Sequence, residues 1–201
     1  MKEEQSTEQK ILEAAKQVFM EKGLDGARMQ DIADRAGINK ALLHYYFRSK
    51  DKLFDVIFME EARKFLPRIA DIMLSEIDLF EKIERFVNGY IDMLLQNPLL
   101  PIFIINEVNR NAGEMVKKMW GTQRPPVDKI DEHLAKLTKK GVIKPVKAEQ
   151  LMLNMVSLCV FPFIARPMAQ WVFKKNDKEY IQMMELRKKE VAKFIIDSIR
   201  K

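Results

Sequence analysis

The stretch Ile32–Phe54, IADRAGINKALLHYYFRSKDKLF, decides how the rest of the chain is read. Two short helices that cross steeply need a small residue where they touch, and Ala33 supplies it. Four residues later the chain must turn, and Gly37 can take a positive φ without strain. Ile32, Ala36, Ile38, Leu43 and Phe47 then close a small core against a preceding helix. This spacing is the helix-turn-helix arrangement, whose second helix lies in the major groove of DNA. A plain helical hairpin offers the same Ala-x-x-x-Gly, so the surroundings have to separate the two.

Charge distribution favours a polyanion partner. Residues 1–34 carry five Lys/Arg against eight Asp/Glu, a balance of −3. Residues 35–52 carry Arg35, Lys40, Arg48, Lys50 and Lys52 against Asp51 alone, a balance of +4. The basic region therefore coincides with the motif, where cations attract phosphate irrespective of sequence.

The other bulk properties narrow the fold. The chain has 201 residues, 47% hydrophobic and 32% charged, which is enough apolar content for a packed core. Seven Gly and eight Pro among abundant Leu, Met, Glu and Lys favour helix over sheet. A single cysteine, Cys159, rules out an intramolecular disulfide framework and a multi-cysteine metal site, and is compatible with a reducing cytosol. MKEEQSTEQK is too polar for a signal peptide, so a cytoplasmic location is expected.

Apolar periodicity predicts an all-α chain of about nine helices. Helix 1 runs Thr7–Lys22, opened by a Ser6/Gln9 capping box and ended by Gly23. Helices at Met29–Ala36 and Lys40–Phe47 follow, the second capped by Asn39. A long fourth begins at Ser49 and continues past Pro67. Leu79–Gln96 is amphipathic; PLLPIFIINEVNRN is apolar nearly all round, with Pro98 at a helix start and a buried setting expected. GTQRPPVD is a loop, Val127–Lys140 a helix closed by Gly141, Leu151–Phe173 the most hydrophobic segment, and Asp177–Ile199 a last amphipathic helix. Asn154, Ser157, Arg166, Gln170 and two prolines argue against Leu151–Phe173 spanning a membrane and favour a buried or interface helix. The expected division is residues 1–50 and 51–201.

Gly23–Phe54 resembles the DNA-binding domain of TetR-type transcriptional regulators, most specifically in Phe-x-Ser-Lys-x-x-Leu at Phe47–Leu53, at fixed distance from Ala36-Gly37. The match covers about residues 7–55. It implies that Lys40, Ala41 and Leu42 open the recognition helix, that Tyr45 faces the groove, and that Lys50 approaches a phosphate. Leu42 can meet a thymine methyl, and Asn39 lies beside these contacts as the cap. The family commonly has Thr or Ser before helix 2, where this chain has Ala27 and Arg28; Arg28 can replace a hydroxyl–phosphate contact by an ionic one. The usual recognition-helix Tyr is His44 here, the usual His before Phe47 is Tyr46, and position 41, often Gly, is Ala. These departures bear on the operator contacts and leave the class intact. Phe47 and Tyr46 are expected to face inward, His44 and Tyr45 outward.

Residues 56–201 carry no phosphate loop, no Gly-x-Ser-x-Gly elbow and no metal-ligand pair, so neither catalysis nor a cofactor is expected. His133, among Asp131, Glu132 and Lys136, reads as part of a solvated face, and Cys159 as a buried small hydrophobe. Thirteen Met and twelve Phe suit either a well-filled core or an adaptable apolar cavity. The resemblance implies a small-molecule site between helices and a dimeric four-helix bundle, here from Leu151–Phe173 and Asp177–Ile199. Pocket candidates are Phe86, Tyr90, Phe103, Asn106, Glu107, Met119, Trp120, Met155 and Phe161. The expectation is a homodimeric regulator, a ligand-released repressor of a pseudo-palindromic double-stranded DNA operator, taking a small apolar or amphipathic effector and no membrane. The rivals are a helical protein-contact module without specific DNA binding and a small-molecule or lipid carrier; activation in place of repression also fits.

Overall fold

The computed structural model describes residues 6–110 and 127–201, with Gly113 and Lys117 between them; the side chains at 62, 64–70, 107 and 110 lie outside the description. Among the described residues there are ten helices and no strand: α1 (Thr7–Gly26), α2 (Met29–Ala36), α3 (Lys40–Tyr46), α4 (Lys50–Leu74), α5 (Leu79–Gln96), α6 (Leu100–Arg110), α7 (Val127–Lys139), α8 (Ala148–Ile164), α9 (Arg166–Val172) and α10 (Asp177–Ile199). They form two compact units. One holds the described residues through Lys64 and α6 from Ile102; the other holds Phe65–Pro101 and 127–201.

In the first unit α1 opens as its sequence dictates. Ser6 Oγ accepts from the Gln9 amide at 3.2 Å while Gln9 returns a carboxamide oxygen to the Ser6 amide at 3.1 Å. Its apolar stripe, Ile11, Ala15, Val18 and Phe19, is buried. Gly23 leaves the helical region (φ 66°, ψ 178°), which breaks the axis where the sequence places the end, and one further turn reaches Gly26. Leu53, Phe54, Ile57 and Phe58 of α4 complete this core. The Phe54 ring stands edge-on to Phe19 at 5.1 Å and lies 5.0 Å from Phe103 of α6. Glu61, 4% exposed, is held by the Lys16 ammonium at 2.7 Å, so its buried charge is compensated.

The second unit is built around α5. Leu79, Ile83, Phe86, Val87, Ile91 and Leu94 recur at helical spacing and pack with Leu151, Met155 and Cys159 of α8 and Met184, Val191 and Ile195 of α10. The chain end is pinned: Lys144 donates its amide to Ile199 at 2.7 Å, Ile143 and Arg200 form an isolated antiparallel bridge, and the Arg200 guanidinium lies 4.6 Å over the Phe80 ring.

Two readings of the sequence are corrected here. Leu151–Phe173 is not one helix: α8 starts at Ala148 and ends at Ile164, and α9 leaves at 72°. Pro162 and Pro167 lack the amide hydrogens that continuing the helix needs. The freed Leu158 carbonyl accepts from Arg187 Nε and Nη2 at 3.2 and 3.0 Å, and the Pro162 carbonyl accepts from the Tyr180 hydroxyl at 2.6 Å. No single helix among the described residues is long and apolar enough to cross a membrane. The second correction concerns PLLPIFIINEVNRN: Pro98 lies in the turn before α6, Pro101 occupies its first turn, and Ile105, Asn106 and Asn109 are exposed. GTQRPPVD falls outside the described residues up to Val127.

Candidate nucleic-acid interface and the ligand unit

The α2–α3 connection obeys the local chemistry of its residues. Gly37 takes the left-handed conformation (φ 68°, ψ 32°), and the Ile38 amide bonds back to the Ala33 carbonyl at 3.0 Å. Asn39 Oδ1 then accepts from the Leu42 amide at 2.8 Å and starts α3. At the other end of α2, Arg28 stands at the cap position without a side-chain cap bond. Asp31 supplies the converse interaction by accepting from the Arg28 backbone. The Lys22 ammonium, 2.7 Å from Asp31, holds that carboxyl below its usual range.

One buried residue anchors α3. Leu43 is fully buried, whereas Lys40, Ala41, Leu42, His44 and Tyr45 are exposed, Tyr45 at 81%. A seven-residue helix that turns nearly its whole surface outward has little packing to justify it, and such a surface suits a partner. Tyr46 corrects the sequence reading: it is 41% exposed and stands edge-on to Tyr45 at 5.6 Å, while Phe47 is half-buried. With Ile32, Ala33 and Leu43 filling the inner face, Tyr46 falls outside it.

The cations of this region fall into two groups. Arg35 pairs with Glu21 at 2.8 Å, and Lys50 donates to the Ala27 carbonyl at 3.0 Å. Lys40, Arg48 and Lys52 form no ion pair among the described residues and remain available to an external anion. Sequence reasoning assigned Lys50 to phosphate alone and missed its bond to Ala27, because that bond joins residues 23 positions apart.

In the second unit Phe86 and Met155 are buried, and the Phe86 and Tyr90 rings lie 5.4 Å apart. Burial pushes the Tyr90 phenol up, and pushes the Cys159 thiol up to about 12, so Cys159 is a protonated core group and not a nucleophile. Phe103 does not join them; it belongs to the first unit and packs on Phe54 and Phe58. Asn106 is exposed, and Phe161 faces outward into a groove of about 540 Å³ shared with Met168, Val172, Met183, Leu186 and Arg187. The Glu107 side chain, Met119 and Trp120 lie outside the described residues. His133 is a further correction: it is half-buried, and its Nε2 is buried with no hydrogen-bond partner among the described residues.

Comparison with known proteins matches two segments of the chain. Bacterial regulatory proteins of the tetR family match residues 11–57, and the tetracyclin repressor-like C-terminal domain matches residues 80–197, more than half of the chain. The fatty acid metabolism regulator protein of Bacillus subtilis is 23% identical over 180 residues, 90% of each chain. The regulator RutR of Escherichia coli is 25% identical over 148 residues, 70% of this chain and 66% of RutR. Among solved structures, the hemolysin II regulator HlyIIR superposes with a TM-score of 0.65 at 20% identity, covering 98% of this chain and 99% of that one. FadR from Bacillus subtilis in complex with stearoyl-CoA gives 0.63 at 18% identity over 95% and 98%. With matches to both the N-terminal and the C-terminal family models, the second over more than half of its length, the chain belongs to the TetR family of bacterial transcriptional regulators.

Proposed function

We propose that this regulator acts as a homodimeric, ligand-released repressor, each subunit placing Lys40–Tyr45 in one major groove of a pseudo-palindromic operator. The observation that carries the reading is the exposed face of α3, fixed by Leu43 and flanked by Lys40, Arg48 and Lys52, cations that form no ion pair among the described residues. Tyr45 and His44 offer rings to sugar and polar tips to bases or phosphate, while Arg28 and the cations supply sequence-independent attraction.

Dimerisation through α8 and α10 is supported by their outward apolar residues, among them Leu153, Val156, Phe161, Leu186 and Phe194. Such a surface is buried when two copies meet about a two-fold axis. The effector is proposed to be amphipathic, because the structurally similar FadR holds stearoyl-CoA. It would bind in the second unit near Phe86, Tyr90 and Met155 and favour a conformer unsuited to DNA. α4 is the proposed lever, since it starts at Lys50 and ends in the second unit. The coupling requires only that the effector bind the two conformers with different affinity.

Selection of binding duplexes from a random pool tests the reading. The expected product is a motif with two inverted half-sites about one helical turn, ~10 base pairs, apart or a multiple of it. A pool that enriches no motif contradicts it. An effector that binds tightly and leaves operator affinity unchanged contradicts ligand release.

A further inference from the structure

One cavity lies apart from the Phe86–Tyr90–Met155 region. It occupies about 360 Å³ where the end of α4, the start of α5 and α7 meet, lined by Met73, Leu79, Lys82, Lys129, Ile130 and His133. Its size lies at the small end of ligand pockets, which run from about 300 to 1,000 Å³.

The charges in this wall are unbalanced. Lys82 is 6% exposed and donates to the Met73 carbonyl at 3.0 Å, which leaves two of its three donors without a partner. Among the described residues the other buried charge, Glu61, has Lys16 as its counter-ion, and the half-buried Lys188 has Asp92 and Glu185 at 2.5 Å each. Lys82 has a carbonyl only, and a buried cation without a counter-charge is costly. Lys129 likewise forms no ion pair, and Glu76, the one acid in the lining, pairs with neither among the described residues. Lys129, His133, Lys136 and Lys140 follow one another at four, three and four residues, so they form a single basic stripe along α7 and past its end.

We propose that this cavity binds a small amphipathic carboxylate, its head between Lys82 and Lys129 and its short hydrocarbon portion against Met73, Leu79 and Ile130. An anion there supplies the missing counter-charge, and the mainly apolar remainder of the lining selects an organic acid over inorganic phosphate. The site is independent of whether its occupant alters DNA affinity, so it stands or falls apart from the repressor reading.

His133 is the reporter. Burial, Lys82, Lys136 and Lys140 hold its pKa below the usual value, and Asp78, which opposes them, also caps α5 through the Phe80 amide at 2.8 Å. A carboxylate in the cavity offsets the lysines and raises it. The chain has two histidines, so a His44→Gln variant leaves His133 as the one imidazole signal.

The experiment is an NMR titration of that variant across pH, with and without octanoate, 1-octanol or inorganic phosphate as probes. Saturable octanoate binding below about 10 mM, with an upward shift of the His133 midpoint that octanol does not produce, is the expected result. Lys129→Gln, an exposed change that keeps the fold, is expected to weaken octanoate about tenfold, and Lys82→Met to abolish the shift. Should Lys82→Met not fold, the His133 shift and Lys129→Gln decide alone. Absence of saturation, binding that leaves the His133 midpoint unmoved, octanol acting like octanoate, or phosphate binding as well as octanoate would each overturn the proposal.

Discussion

The Lys50 ammonium, at the first residue of α4, donates to the carbonyl of Ala27 at the α1–α2 junction, 3.0 Å away. That bond fastens the start of the long helix to the scaffold that carries α2 and α3. A lysine at a helix N-terminus opposes the helix dipole, so its position needs a compensating acceptor, which Ala27 provides. Lys50→Met is therefore expected to lower unfolding stability by about 1.5–3 kcal/mol, the scale of a charge-assisted hydrogen bond. It is also expected to weaken DNA binding at all sequences alike. Chemical denaturation together with binding to operator and random duplexes checks both; unchanged stability would mean the bond contributes nothing.

The break between α8 and α9 yields a second prediction. Arg187 fills the hydrogen-bonding vacancy that Pro162 creates at the Leu158 carbonyl. Arg187→Met leaves that half-buried carbonyl unsatisfied and is expected to cost about 1–3 kcal/mol. The double variant Arg187→Met/Pro162→Ala restores the helical donor, so its thermal midpoint should recover most of the loss. Strictly additive losses in the double variant would contradict this account.

A large part of the fold was legible in the sequence, and the reasons are local. Ser6 with Gln9, Gly37 and Asn39 act within three or four residues, so α1, α2 and α3 start or turn where their residue types require. Leu79–Gln96 and Asp177–Ile199 show uninterrupted periodicity and match to the residue. The misreadings came from hydrophobicity without direction. Leu151–Phe173 reads as one greasy segment, yet two prolines split it and an arginine 29 residues away stabilises the split. Tyr46 is an aromatic beside a core Phe, and only the helix rotation fixed by Leu43 turns it outward. His133 looks solvated in a polar neighbourhood, because Lys82 and the end of α4 reach it through the fold. The pocket candidates divide for the same reason: Phe103 and Phe86 are equally apolar, yet Phe103 lies in the first unit and Phe86 in the second.

Dimerisation has a direct test. Leu186 and Phe194 lie on the outward face of α10 and do not belong to the core. Leu186→Glu with Phe194→Glu is expected to yield a folded monomer by sedimentation and unchanged helicity by circular dichroism, with operator affinity lost. A dimer that survives both charges would move the interface elsewhere.

The pH dependence of stability follows from His133. Its folded pKa lies below its usual value, so at mildly acidic pH the unfolded chain takes up the proton and the folded chain does not. Stability is therefore full above the unfolded imidazole pKa, about 6.5, and declines as pH falls through it. His133→Gln is expected to flatten that decline in urea midpoints measured between pH 7.5 and 5.5, and an equal decline in the variant would contradict the assignment.

The most direct measurement of the central claim is fluorescence anisotropy of the purified protein on the operator duplex enriched by selection and on random duplex, titrated with salt. The account predicts saturable binding about a thousandfold or more above that to random duplex. It predicts that Lys40→Ala lowers the salt slope by about one, and that Lys40→Ala/Tyr45→Ala removes the preference while leaving the fold intact. Equal binding to an enriched operator and to random DNA, with that double variant indistinguishable from the native chain, would contradict recognition through α3.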